Sequence, residues 1–534
     1  MQNCAQFGGS ASLDRTGRFL AVRAAPAVMA DPDHVDTVVA ALLDPVLDPI
    51  VDLVVTADVD GYEARAVDGR VRFRRDDEGT DWRFTEILVE GRNPLGDQST
   101  DRFSPLADER STPWPTRDRA SYPFAYEMVA QVFDHPDAPD VICQHTAAHN
   151  WEDHGGERGE HGSMGVVQAR APFIIAGAGV AARGVLPRAC RLVDVAPTVL
   201  AVMGAAPHPE GVGLNGRRRP DALLRRQDGE VLDELVDHRE PRPDHVVGFL
   251  MDGCNANVLY DMAARGEAPN VARLMAMGTT LGHGAFSSSP TVTLPNHTTV
   301  LTGAHPGHHG VLNNAWWDRA AGEQVITNSP ATWPWAMRSL SDDVETIYEA
   351  VHRSWPDAFC LSANEPCDRG ADFGTFDILR SGGLPDKPPA AEDLPFATER
   401  FVRPEKGYRT ASRVDHLGLD LTLGVWGDGY QGRSFPRPRF TWVNTSLTDA
   451  AMHRGGPYSD IAAAAVRDTD ARIGEVLATV ERSGAFDRTA FFLVADHGME
   501  DSNPEVTGDW GPALAATGIP LRDEAYMWIY TGVT

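Results

Sequence analysis

The pattern of short apolar runs constrains the fold of this 534-residue chain most strongly, because each run is followed by polar or glycine residues. We predict strands at 51–55, 140–143, 171–179, 245–251, 439–443 and 489–495. Segments typical of helices lie between several of these runs, at 121–133, 194–204, 268–278 and 459–484. The last of them has a predicted Ser459 cap and ends at Gly484. Alternating strands and helices predict an α/β fold with a mostly parallel sheet covered by helices on both faces.

Charge and cysteine content narrow the class of partner. The formal net charge is −28, which argues against a nucleic acid polymer, although metal ions could still allow a small anionic substrate. The six cysteines form no CxxC pair, so neither a disulfide framework nor a thiolate zinc site is indicated. The most apolar run, at 38–55, is interrupted by Asp and Pro, and the first residues do not resemble a secretory signal. We therefore expect a cytoplasmic protein with no membrane partner.

Acidic and imidazole side chains follow the ends of four predicted strands. In open α/β sheets, functional groups gather just beyond the carboxyl ends of the strands. An Asp-x-x-x-His spacing also places both side chains on one side of a helical turn. Carboxylates and imidazoles that converge in this way suit a hydrolytic site with two metal ions. The residues concerned are Asp252, Asp449, His453, Asp496, His497 and His161, the last at the end of a histidine-rich loop.

Four motifs resemble the alkaline phosphatase superfamily, in its branch of type I phosphodiesterases/nucleotide pyrophosphatases and phosphonoacetate hydrolases. They are "FLMDGC", "SPTVTLPNHTTVLTGAHPGHHGV", "TDAAMH" and "VADHGM", and the resemblance runs over about 244–500. It implies an alkaline phosphatase-like fold and two divalent metal ions. Zinc is the usual metal of this family, and manganese or iron would suit the same ligands. It also implies that Thr293 is the nucleophile that attacks phosphorus, and that Asn314 binds a phosphoryl oxygen.

By the same resemblance, one metal ion is held by Asp252, Asp496, His497 and Thr293. The other is held by Asp449, His453 and one further histidine, which the family places downstream of the Asp-His-Gly motif. No histidine follows His497 here, but "GEHGSMGVVQARAPFIIAGAGV" and the segment after it resemble the family's closing part. We therefore predict a circular permutation in which His161 completes the second site. The alternative is a fusion of two damaged domains.

The permutation defines the predicted domain organisation. Residues 1–215 correspond to the C-terminal part of the catalytic domain, 216–243 are a helical linker, and 244–534 carry the nucleophile and most metal ligands. A cap is predicted at about 320–436. Predicted strands at 17–25 and 525–533 should lie near one another if the chain is permuted.

The sequence constrains the identity of the substrate less than it constrains the type of reaction. The segment after Asn314 resembles phosphonoacetate hydrolase, but 362–371, the counterpart of its lysine-containing carboxylate-binding segment, holds no lysine. A small phosphate-containing substrate with a diester or nucleotide pyrophosphate bond is therefore preferred, with C–P hydrolysis or phosphomonoesterase activity as alternatives. A non-catalytic scaffold is disfavoured because Thr293 and the ligand set are complete. An arylsulfatase is disfavoured because its Cys/Ser-x-Pro-x-Arg motif is absent. His297 is expected to have only a supporting role.

Overall fold

A computed structural model describes residues 31–150, 157–384, 406–525 and 527–533. Its α-helices are numbered here in chain order. They are α1 (Pro32–Leu42), α2 (Leu106–Ser111), α3 (Ala125–Val132), α4 (Val166–Ala169), α5 (Val195–Met203), α6 (Ala256–Ala264), α7 (Pro269–Met277), α8 (Thr293–Thr302), α9 (Pro306–His309), α10 (Ile347–Ser354), α11 (Thr375–Arg380), α12 (Lys406–Trp426), α13 (Leu447–Gly455), α14 (Asp460–Arg482) and α15 (Gly511–Ala516).

The strands form two large sheets and several short pairings. They are β1 (Val51–Asp58), β2 (Gly61–Ala66), β3 (Gly69–Glu78), β4 (Asp81–Gly91), β5 (Val141–His145), β6 (Gly159–Glu160), β7 (Arg170–Ala171), β8 (Phe173–Gly177), β9 (Gly184–Leu186), β10 (Cys190–Arg191), β11 (His245–Met251), β12 (Gly278–Leu281), β13 (Ala285–Phe286), β14 (Ala315–Asp318), β15 (Glu323–Ile326), β16 (Cys360–Ala363), β17 (Phe373–Gly374), β18 (Phe440–Thr445), β19 (Thr489–Val494), β20 (Glu500–Asp501), β21 (Leu521–Glu524) and β22 (Trp528–Thr531).

An eight-stranded sheet in the order β17-β16-β18-β11-β19-β8-β12-β9 forms the centre of the fold. All neighbours from β17 to β19 run parallel, whereas β8 is antiparallel to both β19 and β12. The strands β18 and β19 are buried along their whole length, as expected where both faces of a parallel sheet are covered. This confirms the predicted α/β class with a mostly parallel sheet.

A second sheet was not foreseen. Its seven strands, in the order β21-β22-β5-β1-β2-β3-β4, are antiparallel throughout. The predicted strands at 51–55 and 140–143 exist, but they belong to this sheet and not to the central one. An apolar run indicates a buried strand but does not reveal its partner, and β5 pairs with β22 from the far end of the chain.

The predicted linker and cap differ from the structure in their secondary structure. Residues 216–243 contain no α-helix and only one 3₁₀ turn, Asp233–Leu235, while Leu224 and Leu235 are buried in the main core. Within the predicted cap, β16 and β17 extend the central sheet and α12 packs on α13 and β18. The described parts of these segments therefore pack into the layers of the central sheet, because their apolar faces are buried there.

The first described helix lies close to the last strand. Val38, Val39 and Leu42 of α1 share a buried cluster with Met527 and Ile529. The predicted strand at 17–25 lies outside the described residues, so this arrangement bears only on the segment that follows it. Among the helices that the structure describes, none is both long enough and apolar enough to cross a bilayer.

Candidate metal centre

The first group of potential ligands lies at the ends of two adjacent parallel strands. Asp252 follows β11, and Asp496 and His497 follow β19. The Nε2 atom of His497 lies 3.2 Å from Asp496 Oδ2 and 3.8 Å from Asp252 Oδ1. All three side chains are buried. The structure thus brings together three of the four residues that the sequence predicts for one metal ion.

The second group lies beside the first and is more open to solvent. Asp449 and His453 are one turn apart on α13, and Asp449 Oδ1 lies 3.3 Å from His453 Nε2. His161 Nε2 lies 3.9 Å from the same oxygen. The rings of His161 and His497 are stacked with centroids 3.8 Å apart, so the two groups are contiguous. About a fifth of the Asp449 and His453 side chains is exposed, which leaves this group accessible to a substrate.

The protonation of these imidazoles follows from their backbone contacts. In His161, His453 and His497, Nδ1 contacts the carbonyl oxygens of Thr291, Gly159 and Gly498, at 3.0, 2.8 and 2.8 Å. A carbonyl oxygen can only accept a hydrogen bond, so Nδ1 carries the proton in each ring. In the neutral ring, Nε2 then holds the lone pair that a histidine ligand of a metal requires.

His161 reaches the site by a route other than the one predicted. The sequence placed it beyond a strand of the central sheet, but β5 belongs to the second sheet. The short strand β6 precedes His161 and pairs with β20, which follows the Asp-His-Gly motif. Thr291 then fixes the loop, because its Oγ1 donates to the Ser163 carbonyl and accepts from the Gly162 amide. The sequence interpretation gave Thr291 no part in the site.

Thr293 and Asn314 are neighbours at the start of α8. Thr293 is the first residue of this helix and is less buried than the residues on either side of it. Asn314 Oδ1 accepts a hydrogen bond from the Leu294 amide at 3.1 Å, which places the Asn314 side chain beside Thr293. Asn313 holds Asn314 in turn, since it donates to the Ala525 carbonyl and accepts from the Asn314 amide. The side-chain nitrogen of Asn314, Nδ2, remains available as a donor.

A further histidine, one turn beyond Thr293, also reaches the first group. His297 Nε2 lies 3.8 Å from Asp252 Oδ2 and 3.6 Å from Asp496 Oδ2, and its Nδ1 contacts the buried carboxylate of Glu365. The spacing of four residues from Thr293 was visible in the sequence, and it places both on one face of α8. Glu365 was missed because the strand that it follows, β16, was not predicted from the sequence.

The electrostatics of the site reflect a concentration of buried carboxylates. Burial, and then the neighbouring Asp496 and Asp449, raise the pKa of Asp252 well above its usual range. Burial lowers the pKa of His161 well below its usual range, and His497 and His453 reinforce the effect. Burial alone would also lower the pKa of His453, but the Asp449 carboxylate outweighs it and raises the pKa to about 10. Neighbouring carboxylates thus raise the pKa of both Asp252 and His453.

Several buried side-chain atoms of these groups lack a hydrogen-bond partner among the described residues. They are Asp252 Oδ1, Asp449 Oδ1, Asp496 Oδ2, His297 Nε2 and His497 Nε2. Each such group costs about 1–3 kcal/mol if nothing satisfies it. Ligands of a tetrahedral zinc ion, at bond lengths of about 2.0–2.1 Å, lie roughly 3.3 Å from one another, close to the separations found here. The described side chains therefore fit divalent cations with mixed oxygen and nitrogen ligands.

The fold and the site define an α/β protein with two adjacent carboxylate–imidazole groups, one at the ends of β11 and β19 and one on α13, and with α8 next to the first group through His297. The family model for type I phosphodiesterase / nucleotide pyrophosphatase matches residues 246–530, slightly more than half of the chain. The chain belongs to this family. The match includes every predicted site residue except His161.

Curated relatives share limited parts of the chain. Ectonucleotide pyrophosphatase/phosphodiesterase 1 of Saccharomyces cerevisiae is 24% identical over 224 residues, which is 40% of this chain and 28% of the relative. An uncharacterized pyrophosphatase/phosphodiesterase of Schizosaccharomyces pombe is 24% identical over 264 residues, 48% of this chain and 44% of the relative. Alkaline phosphatase PafA of Elizabethkingia meningoseptica is 33% identical over 92 residues, 17% of each chain. The chain spans less than half of the length of these relatives.

Solved structures show weaker similarity. Murine ectonucleotide pyrophosphatase / phosphodiesterase 5 in complex with AMP is 15% identical, with a TM-score of 0.29 and coverage of 48% of this chain and 57% of the other. Phosphonoacetate hydrolase from Sinorhizobium meliloti in complex with phosphonoformate is 20% identical, with a TM-score of 0.31 and coverage of 49% and 58%.

Proposed function

We propose that this protein is a metal-dependent hydrolase that cleaves phosphodiester or nucleotide pyrophosphate bonds through a phosphothreonine intermediate on Thr293. The observation that carries the proposal is the convergence of two carboxylate–imidazole groups beside the start of α8, with buried ligand atoms that lack hydrogen bonds. Asp252, Asp496 and His497 would hold one cation, and Asp449, His453 and His161 the other. Membership of the phosphodiesterase family supports the same chemistry.

Bound cations would lower the pKa of a coordinated hydroxyl and neutralise charge on the phosphoryl oxygens. In the first step, Thr293 Oγ1 gives its proton to solvent and forms a bond to phosphorus, while the bond to the leaving oxygen breaks and that oxygen takes up a proton from solvent. In the second step, a water oxygen bonds to phosphorus, the bond to Thr293 breaks, and a proton released by that water restores the threonine hydroxyl. The Asn314 side chain, held by the Leu294 amide, would donate its N–H to a phosphoryl oxygen. The positive end of the α8 dipole would favour the same negative charge.

We also propose that the chain is circularly permuted. His161 lies outside the matched family segment, yet it is 3.9 Å from Asp449 and is stacked on His497. The short pairing of β6 with β20 brings the two halves together at this point. A damaged second copy would give no reason for this histidine to complete the second group.

Phosphonoacetate, which carries a carboxylate away from its phosphorus atom, is less well supported as a substrate than a diester. The cationic residue of the 362–371 segment is Arg369, and Glu349 engages it with two hydrogen bonds. A guanidinium already paired in this way offers little to a second carboxylate. We therefore favour a diester or pyrophosphate over phosphonoacetate.

The test compares zinc-reconstituted wild type, Thr293→Ala and His161→Ala on bis-p-nitrophenyl phosphate, p-nitrophenyl phosphate and phosphonoacetate. The proposal predicts highest kcat/KM for the diester, loss of turnover in Thr293→Ala, and loss of one zinc ion and of turnover in His161→Ala. Trapping of ³²P on the wild type but not on Thr293→Ala would identify the intermediate.

A matched control is available in His305. This buried histidine contacts Ser288 and Glu127 through its two ring nitrogens, so neither nitrogen faces the site. His305→Gln should retain both zinc ions. Preferred cleavage of phosphonoacetate would move the protein to C–P hydrolysis, and full activity of His161→Ala would overturn the permutation.

A further inference from the structure

His297 and Glu365 form a buried pair, and neither residue belongs to the ligand set predicted from the sequence. The Nδ1 atom of His297 lies 3.1 and 3.0 Å from the two oxygens of Glu365, and both side chains are almost fully buried. Glu365 is also held by the amide of Cys367 at 2.9 Å. The pair connects the end of β16 with the first metal group. Such burial is costly unless both groups serve a specific contact.

The contact with Glu365 sets the tautomer of His297. A carboxylate accepts hydrogen bonds, so Nδ1 is the donor, and in the neutral ring Nε2 presents its lone pair. Nε2 has no hydrogen-bond partner although it is buried. In His161, His453 and His497, a carbonyl oxygen takes the place of the carboxylate at Nδ1. Carboxylate–histidine–metal chains are a recurrent way to orient a ligand.

The distances exclude a direct hydrogen bond from Nε2 to the carboxylates. Nε2 is 3.6 Å from Asp496 Oδ2 and 3.8 Å from Asp252 Oδ2, which is too long for such a bond. Both oxygens and Nε2 would then direct lone pairs at one another across a buried space. A shared cation resolves this repulsion, and the three atoms are near the roughly 3.3 Å expected between zinc ligands.

We propose that His297 Nε2 is a ligand of the cation held by Asp252 and Asp496, and that Glu365 is the positioning residue that fixes its ring. This inference rests on the metal centre of the proposed function. It gives that cation four protein ligands, with His497 as the fourth, before any oxygen of Thr293 is counted. Thr293→Ala should therefore retain both metal ions while it loses turnover.

The test measures metal binding and not turnover. Apo protein is titrated with Zn²⁺ against a chromophoric chelator, and with Co²⁺ while its visible absorption is recorded. His297→Gln should weaken one of the two sites by more than the roughly 10- to 100-fold loss that follows removal of an orienting partner, and should change the Co²⁺ spectrum of that site. Glu365→Gln should give a loss within that 10- to 100-fold range and a smaller spectral change. His305→Gln, which breaks another buried histidine–carboxylate contact, should match the wild type.

The outcomes separate the two proposals. Wild type that binds two metal ions, together with His297→Gln and Glu365→Gln variants that bind them equally well, would overturn the role of His297 and leave the proposed function standing. Wild type that binds no metal would overturn both. If His297→Gln does not fold, as judged by its circular dichroism, Glu365→Gln decides: unchanged affinity and an unchanged Co²⁺ spectrum would refute the inference.

Discussion

Gly253, between Asp252 and the start of α6, offers a sharp test of how the second metal group is positioned. Its φ is +61°, in the left-handed region, and a β-carbon there would lie 2.5 Å from Asp449 Oδ1 and 3.0 Å from the Asp449 α-carbon. Ordinary contacts begin at 3.4 Å. In Gly253→Ala, the Asp449 carboxylate must therefore move away from its position beside His453.

Gly253→Ala should affect both the folding free energy and the catalytic rate. The left-handed conformation costs an alanine about 1–2 kcal/mol of folding free energy. Because a displacement of about 1 Å in a reacting group can cost roughly 100-fold in rate, kcat/KM for bis-p-nitrophenyl phosphate should fall by about that factor, or about 2.7 kcal/mol. The zinc affinity of the second site should fall as well, since Asp449 is one of its proposed ligands.

Gly266→Ala is the matched control. Gly266 also has a positive φ, +78°, but no atom lies within 4 Å of where its β-carbon would stand. It should lose a similar amount of unfolding free energy in urea and keep its zinc affinity and kcat/KM. If Gly253→Ala binds zinc and turns over the diester as well as Gly266→Ala does, the close approach to Asp449 does not position the site.

Three further predictions concern stability. Ser459→Ala removes the side-chain cap that accepts from the Ala462 amide at 3.2 Å, and thermal unfolding should show a loss of about 1 kcal/mol. Glu127 is buried, which would raise its pKa, but Arg191 and His305 outweigh burial and lower it from 4.5 to about 2. The stabilisation from ionised Glu127 is thus present above pH 4.5 and is lost as the pH falls to about 2. In urea unfolding, the free energy of unfolding of the wild type should fall by roughly 3 kcal/mol through this group between these pH values, and Glu127→Gln should not show that fall. Zinc at about 100 times its dissociation constant should raise the unfolding free energy by about 2.7 kcal/mol per site, and an unfolding midpoint that does not respond to zinc or to a chelator would contradict the metal centre.

The local patterns of the sequence predicted the central elements well. The apolar runs at 245–251, 439–443 and 489–495 are strands of the central sheet, and Ser459 caps α14 as predicted. The spacing of Asp449 and His453 placed them on one face of a helix, which the 3.3 Å separation confirms. These features depend on neighbours within a few residues, so they are encoded locally.

The sequence by itself thus determined the α/β class, the strand-end carboxylates and the family. Only the tertiary structure decided that β5 pairs with β22, that His161 arrives through β6 and β20, and that Glu365 holds His297. Each of these contacts joins residues separated by tens to hundreds of positions. Their formation depends on burial and hydrogen bonding in the whole fold, and periodicity within one segment carries no information about a distant partner.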